Sequence, residues 1–426
     1  MSEMKDLSYF QKIQRFSWNA RMYLLHIFGM DVIHGAWEVL FNLYLLQLGF
    51  GIEFIGIRIA VMGVVGAISS IPVGKFSDRI DRKWGFIIGD GGGAIAPLIL
   101  ITTTSANVIL AFSAIGAIFG TLHHVTEIPF MAENSAKEER IHLFSVGSGF
   151  RTLAAMMGAI IAGYLPAYLS TLYVNITVIE AYRLAVEFSI AWWFLSLIPA
   201  FLLQRYESEE DAKARSEVVE KKGLFGGIQN PIVIRRFIII SSLLSFGAGF
   251  VLRLANVFFH EHGGIHADEH QIGTIFAVGS LFLSLGAFIV PLIVDRIGDV
   301  TTIVLTRASA IPFILIIGFA PTLASPESVV SIAGLAWVLR SSLFNMSSPV
   351  MEAFSMGKLH PNERATFVGL SRFFGASLAA IAGYVGAYLM ARGDFGTPFI
   401  IMSIFYAMST LLFYQWFVKN PMSDSE

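Results

Sequence analysis

Apolar stretches about 20 residues long recur along the entire sequence, and each can cross a hydrocarbon core about 30 Å thick. Twelve are legible, at approximately 22 to 46, 54 to 74, 84 to 104, 107 to 132, 143 to 168, 182 to 203, 235 to 259, 270 to 293, 301 to 320, 327 to 354, 366 to 390 and 396 to 417. This repetition predicts an all-α membrane protein of twelve transmembrane helices. Only 14% of the 426 residues are charged, against about 25% in a soluble domain, which argues against a water-soluble enzyme. The net charge of −2 offers no electrostatic case for a nucleic-acid partner. Without cysteine there is no thiolate chemistry or disulfide framework, and no cofactor is expected.

The long polar segment from Arg205 to Arg236 separates six spans from six. We therefore expect a first bundle over 1–204, a linker over 205–234 and a second bundle over 235–426. Lys75, Arg79, Arg82, Lys83, Arg140, Lys221, Arg235, Arg296, Lys358 and Arg364 all fall on one side of the predicted spans, with little beyond Arg183 and Arg392 on the other. By the positive-inside rule both termini and the linker face the cytoplasm. Short connections suggest a prokaryotic inner membrane, that is, the plasma membrane, and a monomer.

The second half repeats landmarks of the first. At an offset of 217 residues, Ile55-Gly56, Ala60-Val61 and Asp78-Arg79-Ile80 coincide with Ile272-Gly273, Ala277-Val278 and Asp295-Arg296-Ile297. At an offset of 220, Ala162-Gly163-Tyr164 and Ala167-Tyr168-Leu169 coincide with Ala382-Gly383-Tyr384 and Ala387-Tyr388-Leu389. Charged pairs in one register within the same span order point to two homologous six-helix halves.

The run Gly74-Lys75-Phe76-Ser77-Asp78-Arg79-Ile80-Asp81-Arg82-Lys83, between spans 2 and 3, resembles the G-x-x-x-D-R-x-G-R-R/K signature of the major facilitator superfamily. Asp81 stands where the signature has glycine. The second copy keeps Asp295, Arg296 and Gly298 and lacks the basic pair. The resemblance implies two pseudo-symmetric six-helix bundles, with spans 1, 4, 7 and 10 around a central cavity and spans 2, 5, 8 and 11 between the halves. It also implies that Arg372 approaches Asp78 and Arg151 approaches Asp295. Together with Arg79, Arg82, Glu133, Arg140, Arg296, Glu352 and Arg364, these would form a cytoplasmic gate.

Ionisable groups at membrane depth cost about 2.5–3.5 kcal/mol or more and usually have a partner or line water. In span 1, Asp31, His34, Glu38 and Asn42 follow i, i+3, i+7, i+11 and share one stripe. In span 4, Glu127 is spaced to meet either His123 or His124. These suggest proton coupling through Asp31, His34, Glu38, His123 and Glu127, with satisfied polar packing as the bland alternative. His26, off the stripe, reads as a packed histidine. The second half carries Arg253, Asn256, Trp337 and Arg340, which with Asn42 form the candidate solute site, since arginine clamps carboxylates or phosphates. Asp31 or Glu38 could instead latch onto Arg253 or Arg340. Asp90 and Arg307 read as intrabundle pairs, and Arg58 and Glu187 have no role at this stage.

The expected function is a proton-coupled secondary transporter of a small organic solute, an anion being what the second-half arginines suit. Its partners would be that solute, protons and the bilayer. The tract His260-Glu261-His262-Gly263-Gly264-Ile265-His266-Ala267-Asp268-Glu269-His270 favours a rival, a divalent transition-metal transporter. An intramembrane enzyme is disfavoured: there is no Gly-x-Ser-x-Gly elbow, His-Glu-x-x-His helix or phosphate loop.

Overall fold

The computed structural model describes residues 14–135, 140–173, 175–204, 230–359 and 364–419. The described chain is helical throughout. In order come α1 (Trp18–Gln47), α2 (Ile52–Arg79), α3 (Arg82–Leu100), α4 (Ala106–Glu133), α5 (Arg140–Leu172) and α6 (Val178–Phe201). After the central segment follow α7a (Pro231–Gly249), α7b (Ala255–His260), α8 (Glu269–Ile297), α9 (Asp299–Leu323), α10 (Val329–Lys358), α11 (Arg364–Ala391) and α12 (Thr397–Tyr414). Among the described residues, ten helices are long and apolar enough to cross a membrane by length and composition alone. The expected all-α, twelve-span architecture is thus what the chain adopts.

Local chemistry sets the helix ends. Asp81, the residue that departs from the family signature, caps α3 by accepting from the Lys83 backbone N–H. Thr177 with Glu180 and Asp268 with Gln271 form capping boxes that start α6 and α8. Most of the linker, 205–229, lies outside the described residues, and α7a begins at Pro231, earlier than the expected 235.

One expectation needs correction. The seventh span, read as continuous, breaks after Gly249 and resumes at Ala255 through a 3-10 turn at Leu252–Leu254. The break occurs where α7a presses on α11: a Cβ on Gly386 would lie 2.3 Å from the Phe250 carbonyl oxygen, and one on Gly249 would lie 2.5 Å from that of Ala379. Hydropathy does not register such backbone crowding.

Within the first six helices, α1 packs on α5 and α6, while α4 packs on α2 and α3; α7a, α8, α9, α10, α11 and α12 pack among themselves in the second half. The halves meet through α2 with α11, α5 with α8, and α1 with α7b. Buried apolar side chains at the end of the bundle distal to the termini form one cluster that includes both halves, such as Leu43, Ile55, Phe258 and Ile272. At the terminal end, the described ones form two separate clusters. One contains Tyr23, Phe86 and Phe130; the other contains Phe237, Phe367 and Phe413. The halves are therefore sealed distally and have separate cores at the terminal end.

Candidate functional site

The distal seal relies on small residues where the repeat landmarks recur. Gly163 on α5 faces Gly273 on α8, and a Cβ on Gly163 would lie 3.0 Å from the Gly273 Cα. On the other side a Cβ on Gly56 of α2 would lie 2.3 Å from Ala387 of α11. Such close backbone approach needs glycine. Polar contacts reinforce the seal. Asn42 Nδ2 donates to the Arg253 carbonyl and to Asn256 Oδ1, both at 3.1 Å, and Asn256 Nδ2 donates to the Val39 carbonyl at 3.0 Å. Tyr182 donates to Glu269, and Arg392 lies 3.6 Å from Glu53.

Below this seal is a cavity of about 1090 Å³, lined by α1, α2, α3, α4 and α11 together with Trp193 and Arg253. Much of its wall is apolar or small: Met30, Ile33, Trp37, Met62, Gly66, Phe112, Gly116, Phe373 and Phe374. Its polar lining includes His34, Arg58, Asp90, His123, His124, Arg253 and Arg372. Arg58, unassigned from sequence, is 6% exposed and rests over the Phe41 ring at 4.7 Å. It donates to Asn42 Oδ1 at 2.9 Å, and its Nε has no partner. Arg253, which lines the same cavity, is within electrostatic range of both Arg58 and Glu38. A buried guanidinium costs free energy unless an anion or aromatic face compensates.

The acidic groups of the first half form a second feature. Arg151 on α5 binds Glu127 and lies 3.5 Å from Asp31, which in turn is 3.4 Å from His34 Nδ1. Glu127 is also 4.0 Å from His123 Nε2 and 3.9 Å from His124 Nδ1. His123 Nδ1 lies 2.9 Å from Asp90 Oδ1 and 3.0 Å from Oδ2, and the same Oδ2 meets His26 Nε2 at 2.8 Å. A polar chain thus runs from His34 through Asp31, Arg151, Glu127, His123 and Asp90 to His26.

Four of the five proton-coupling candidates, Asp31, His34, His123 and Glu127, come together in this chain. Glu38 stands apart, within range of His34 and Arg253. Sequence reasoning left out Asp90 and His26; the available signal was the depth of Asp90 in its span. Of the five solute-site candidates, only Arg253 lines the cavity. Asn42 and Asn256 are taken up by the seal. Arg340 is 4% exposed, donates to the Tyr406 hydroxyl at 2.8 Å and packs against Trp337, Phe344 and Tyr406 inside the second half. Asp31, considered as a latch onto Arg253 or Arg340, pairs instead with Arg151.

Gate residues divide likewise. Arg151, expected at Asp295, turns to its own half, where two carboxylates lie closer than the separated second core. Arg82 pairs with Glu133 at 3.3 Å, within the first half. Arg79, Arg296, Glu352 and Arg372 are exposed, while the side chains of Asp78, Arg140, Asp295 and Arg364 lie outside the described residues. Glu187 pairs with Arg183 at 2.8 Å, and Arg307 donates to Ser347 at 3.0 Å. The histidine-rich connection lines a smaller distal pocket of about 360 Å³, in which the His262 and His266 ring centroids are 3.9 Å apart.

Comparison with known proteins agrees with this architecture. A family model described as the Major Facilitator Superfamily matches residues 22–383. No curated protein matches the chain in sequence. Among solved structures, the nucleoside transporter NupG is 15% identical with a TM-score of 0.69, covering 93% of this chain and 98% of its own. A bacterial homologue of the iron transporter ferroportin in the inward-facing state is 16% identical with a TM-score of 0.71, covering 93% and 98%. The human organic anion transporter MFSD10 (TETRAN) is 16% identical with a TM-score of 0.61, covering 93% and 99%.

Proposed function

The chain belongs to the major facilitator superfamily, and we propose that it is a proton-coupled secondary transporter that moves a small organic anion by alternating access. The observation that carries this reading is the pairing of Arg58 and Arg253 on the wall of a mostly apolar cavity beneath the distal seal. Two guanidiniums with one nearby carboxylate, Glu38, leave net positive charge, and the aromatic and methionine lining suits an apolar body attached to an acidic group. Near the cavity, Asp31 and Glu127 share the guanidinium of Arg151, and Asp90 lies between His26 and His123.

With the termini taken as cytoplasmic, the distal seal and the separate terminal cores support an inward-open reading. Rocking the halves about the α2–α11 and α5–α8 contacts would carry the bound anion across. The chain from His34 to His26 supplies groups that can take up protons during that cycle. Nucleosides, iron and organic anions are named for the structures compared above, and at 15–16% identity they carry the fold alone.

The test is a thermal-shift screen of purified protein against carboxylates, phosphates, sugars, amines and divalent metals, followed by proteoliposome transport of the stabilising compounds. Stabilisation by anions and accumulation driven by a pH gradient are expected. Stabilisation by neutral or cationic solutes alone would sink the reading. Divalent-metal transport is the second reading, favoured by His26, Asp90 and His123, whose ligand atoms lie within 4.8 Å of one another. It predicts saturable metal binding lost in His123→Gln, and calorimetry without binding removes it.

A further inference from the structure

We infer that the cavity holds its solute at two points: an acidic end on Arg58 and Ser113, near the distal seal, and an uncharged oxygen at Trp193, about 9 Å along the bundle toward the terminal end. The substrate class is then an elongated organic acid whose carbon frame carries a carbonyl, hydroxyl or ether oxygen. The inference deepens the anion reading and rests on it for the charged end alone.

Three polar atoms on the cavity wall lack partners. Arg58 Nε, Ser113 Oγ and Trp193 Nε1 are each enclosed and without a hydrogen-bond partner among the described residues, and all three residues line the cavity. Arg58 and Ser113 are 6% and 3% exposed. A buried hydroxyl in a helix can return to a backbone carbonyl one turn back, as those of Thr121 and Thr126 do on α4 at 2.8 and 2.7 Å. Ser113, on the same helix, does not. Trp18 Nε1 donates to the Leu202 carbonyl at 3.0 Å, whereas Trp193 Nε1 donates to no described group. Buried polar groups are rarely left unpaired, because the loss is costly. An indole N–H can only donate, so the partner it calls for is an acceptor.

The helices set the spacing. A Cβ on Gly66 of α2 would lie 3.7 Å from the Thr121 hydroxyl of α4, and Ser77 bonds Thr126 farther on, so the two helices run in the same direction. Eight residues before Gly66 and Thr121 stand Arg58 and Ser113, which puts that pair on one level beneath the seal. Trp193 lies closer to the terminal end. A Cβ on Gly93 of α3 would be 3.1 Å from Trp193 Cζ2 and 3.9 Å from Phe119 Cβ, so the indole reaches the cavity past α3 where no side chain stands. Phe119 follows Ser113 by six residues of α4, which at about 1.5 Å per residue gives the separation of about 9 Å. At the Trp193 level the wall is open: a Cβ on Gly120 would meet nothing within 4 Å. Packing does not call for glycine there, and the space it leaves takes a carbon chain.

The test is calorimetric titration of the full-length protein in detergent with octanoate, its 4-, 5-, 6- and 7-oxo derivatives, and the methyl esters of the same acids. At least one oxo acid should bind about 3- to 10-fold tighter than octanoate, as one neutral hydrogen bond provides, and Trp193→Phe should erase that gain. Ser113→Ala should weaken all of the acids about tenfold and leave the esters unchanged. The thermal midpoint of unliganded Ser113→Ala should hold or rise, since an unpaired buried hydroxyl is removed. Oxo acids that all bind like octanoate, or a gain that survives Trp193→Phe, overturn the inference. So does a Ser113→Ala variant with a lower midpoint and unchanged acid affinity, which would make the hydroxyl structural. Trp193-dependent binding of the oxo esters without binding of any acid would sink the anion reading and leave the Trp193 contact standing. Absence of binding by acids and esters alike overturns the two-point site.

Discussion

Asn42 of α1 and Asn256 of α7b meet side chain to side chain at 3.1 Å, at 7% and 2% exposure, and so tie the two halves together at the distal seal. Asn256→Ala removes this bond and the one to the Val39 carbonyl. With each neutral bond worth about 0.5–1.5 kcal/mol, the closed seal should lose roughly tenfold in population. The chain has no cysteine, so Ile55→Cys, buried in the seal, would be a sole reporter. Its alkylation should accelerate about tenfold in the Asn256→Ala background, and an unchanged rate would remove the latch.

Two glycine substitutions should separate conformational bias from stability. Gly163→Ala places a Cβ 2.9 Å from the Glu269 carbonyl across the seal, whereas Gly158→Ala places one 1.9 Å from the Val32 carbonyl within the first half. The first should speed labelling at Ile55→Cys with little change in thermal midpoint. The second should cost about 1–3 kcal/mol of stability through overpacking, read as a lower midpoint in detergent.

Arg58→Gln should weaken binding of any stabilising anion about 10- to 100-fold, because a hydrogen bond to a charged group is worth about 1.5–3 kcal/mol. Fluorescence or calorimetric titration reads the affinity. The thermal midpoint of the unliganded protein should hold or rise, since a buried charge without a carboxylate is removed. A variant with unchanged affinity would move the anion site away from Arg58.

If Asp31, Glu38 or Glu127 takes up the coupling proton, replacing all three by their amides should abolish accumulation driven by a pH gradient while leaving solute exchange across proteoliposomes measurable. Exchange needs binding and rocking but no net proton movement. Intact pH-driven accumulation in the triple variant would exclude these carboxylates.

Tyr406→Phe should lower stability by about 1–3 kcal/mol by depriving the buried Arg340 guanidinium of its hydroxyl partner. Anion selectivity should not change, because Arg340 does not line the cavity. A shift in selectivity at unchanged stability would return Arg340 to the solute site.

Span number, the repeat and the family were readable because each depends on local composition or on short charged motifs. The i, i+3 and i+4 spacing also correctly linked Asp31 with His34 and Glu127 with its histidines. What remained hidden depends on docking between helices. His26 and Asp90 are 64 residues apart and meet only once α1 and α3 are side by side. Arg58 looked purposeless until α2 lay against Asn42 and Phe41. Arg340 looked like a ligand clamp because depth is visible in sequence, but the aromatic enclosure by Tyr406 and Phe344 is not. The break in α7 lies where its backbone meets that of α11, a contact that no apolar window in span 7 reports.

The repeat offset of 217 residues that aligns Gly56 with Gly273 also aligns Asp90 with Arg307 and His123 with Arg340. One layer of the scaffold thus carries a carboxylate and an imidazole in one half and two guanidiniums in the other. A homodimer of identical six-helix subunits could not be built this way, since its twofold axis would place the same chemistry on both sides. Covalent fusion frees each half to diverge, and the divergence gives the molecule an electrical polarity between its lobes that its backbone symmetry lacks.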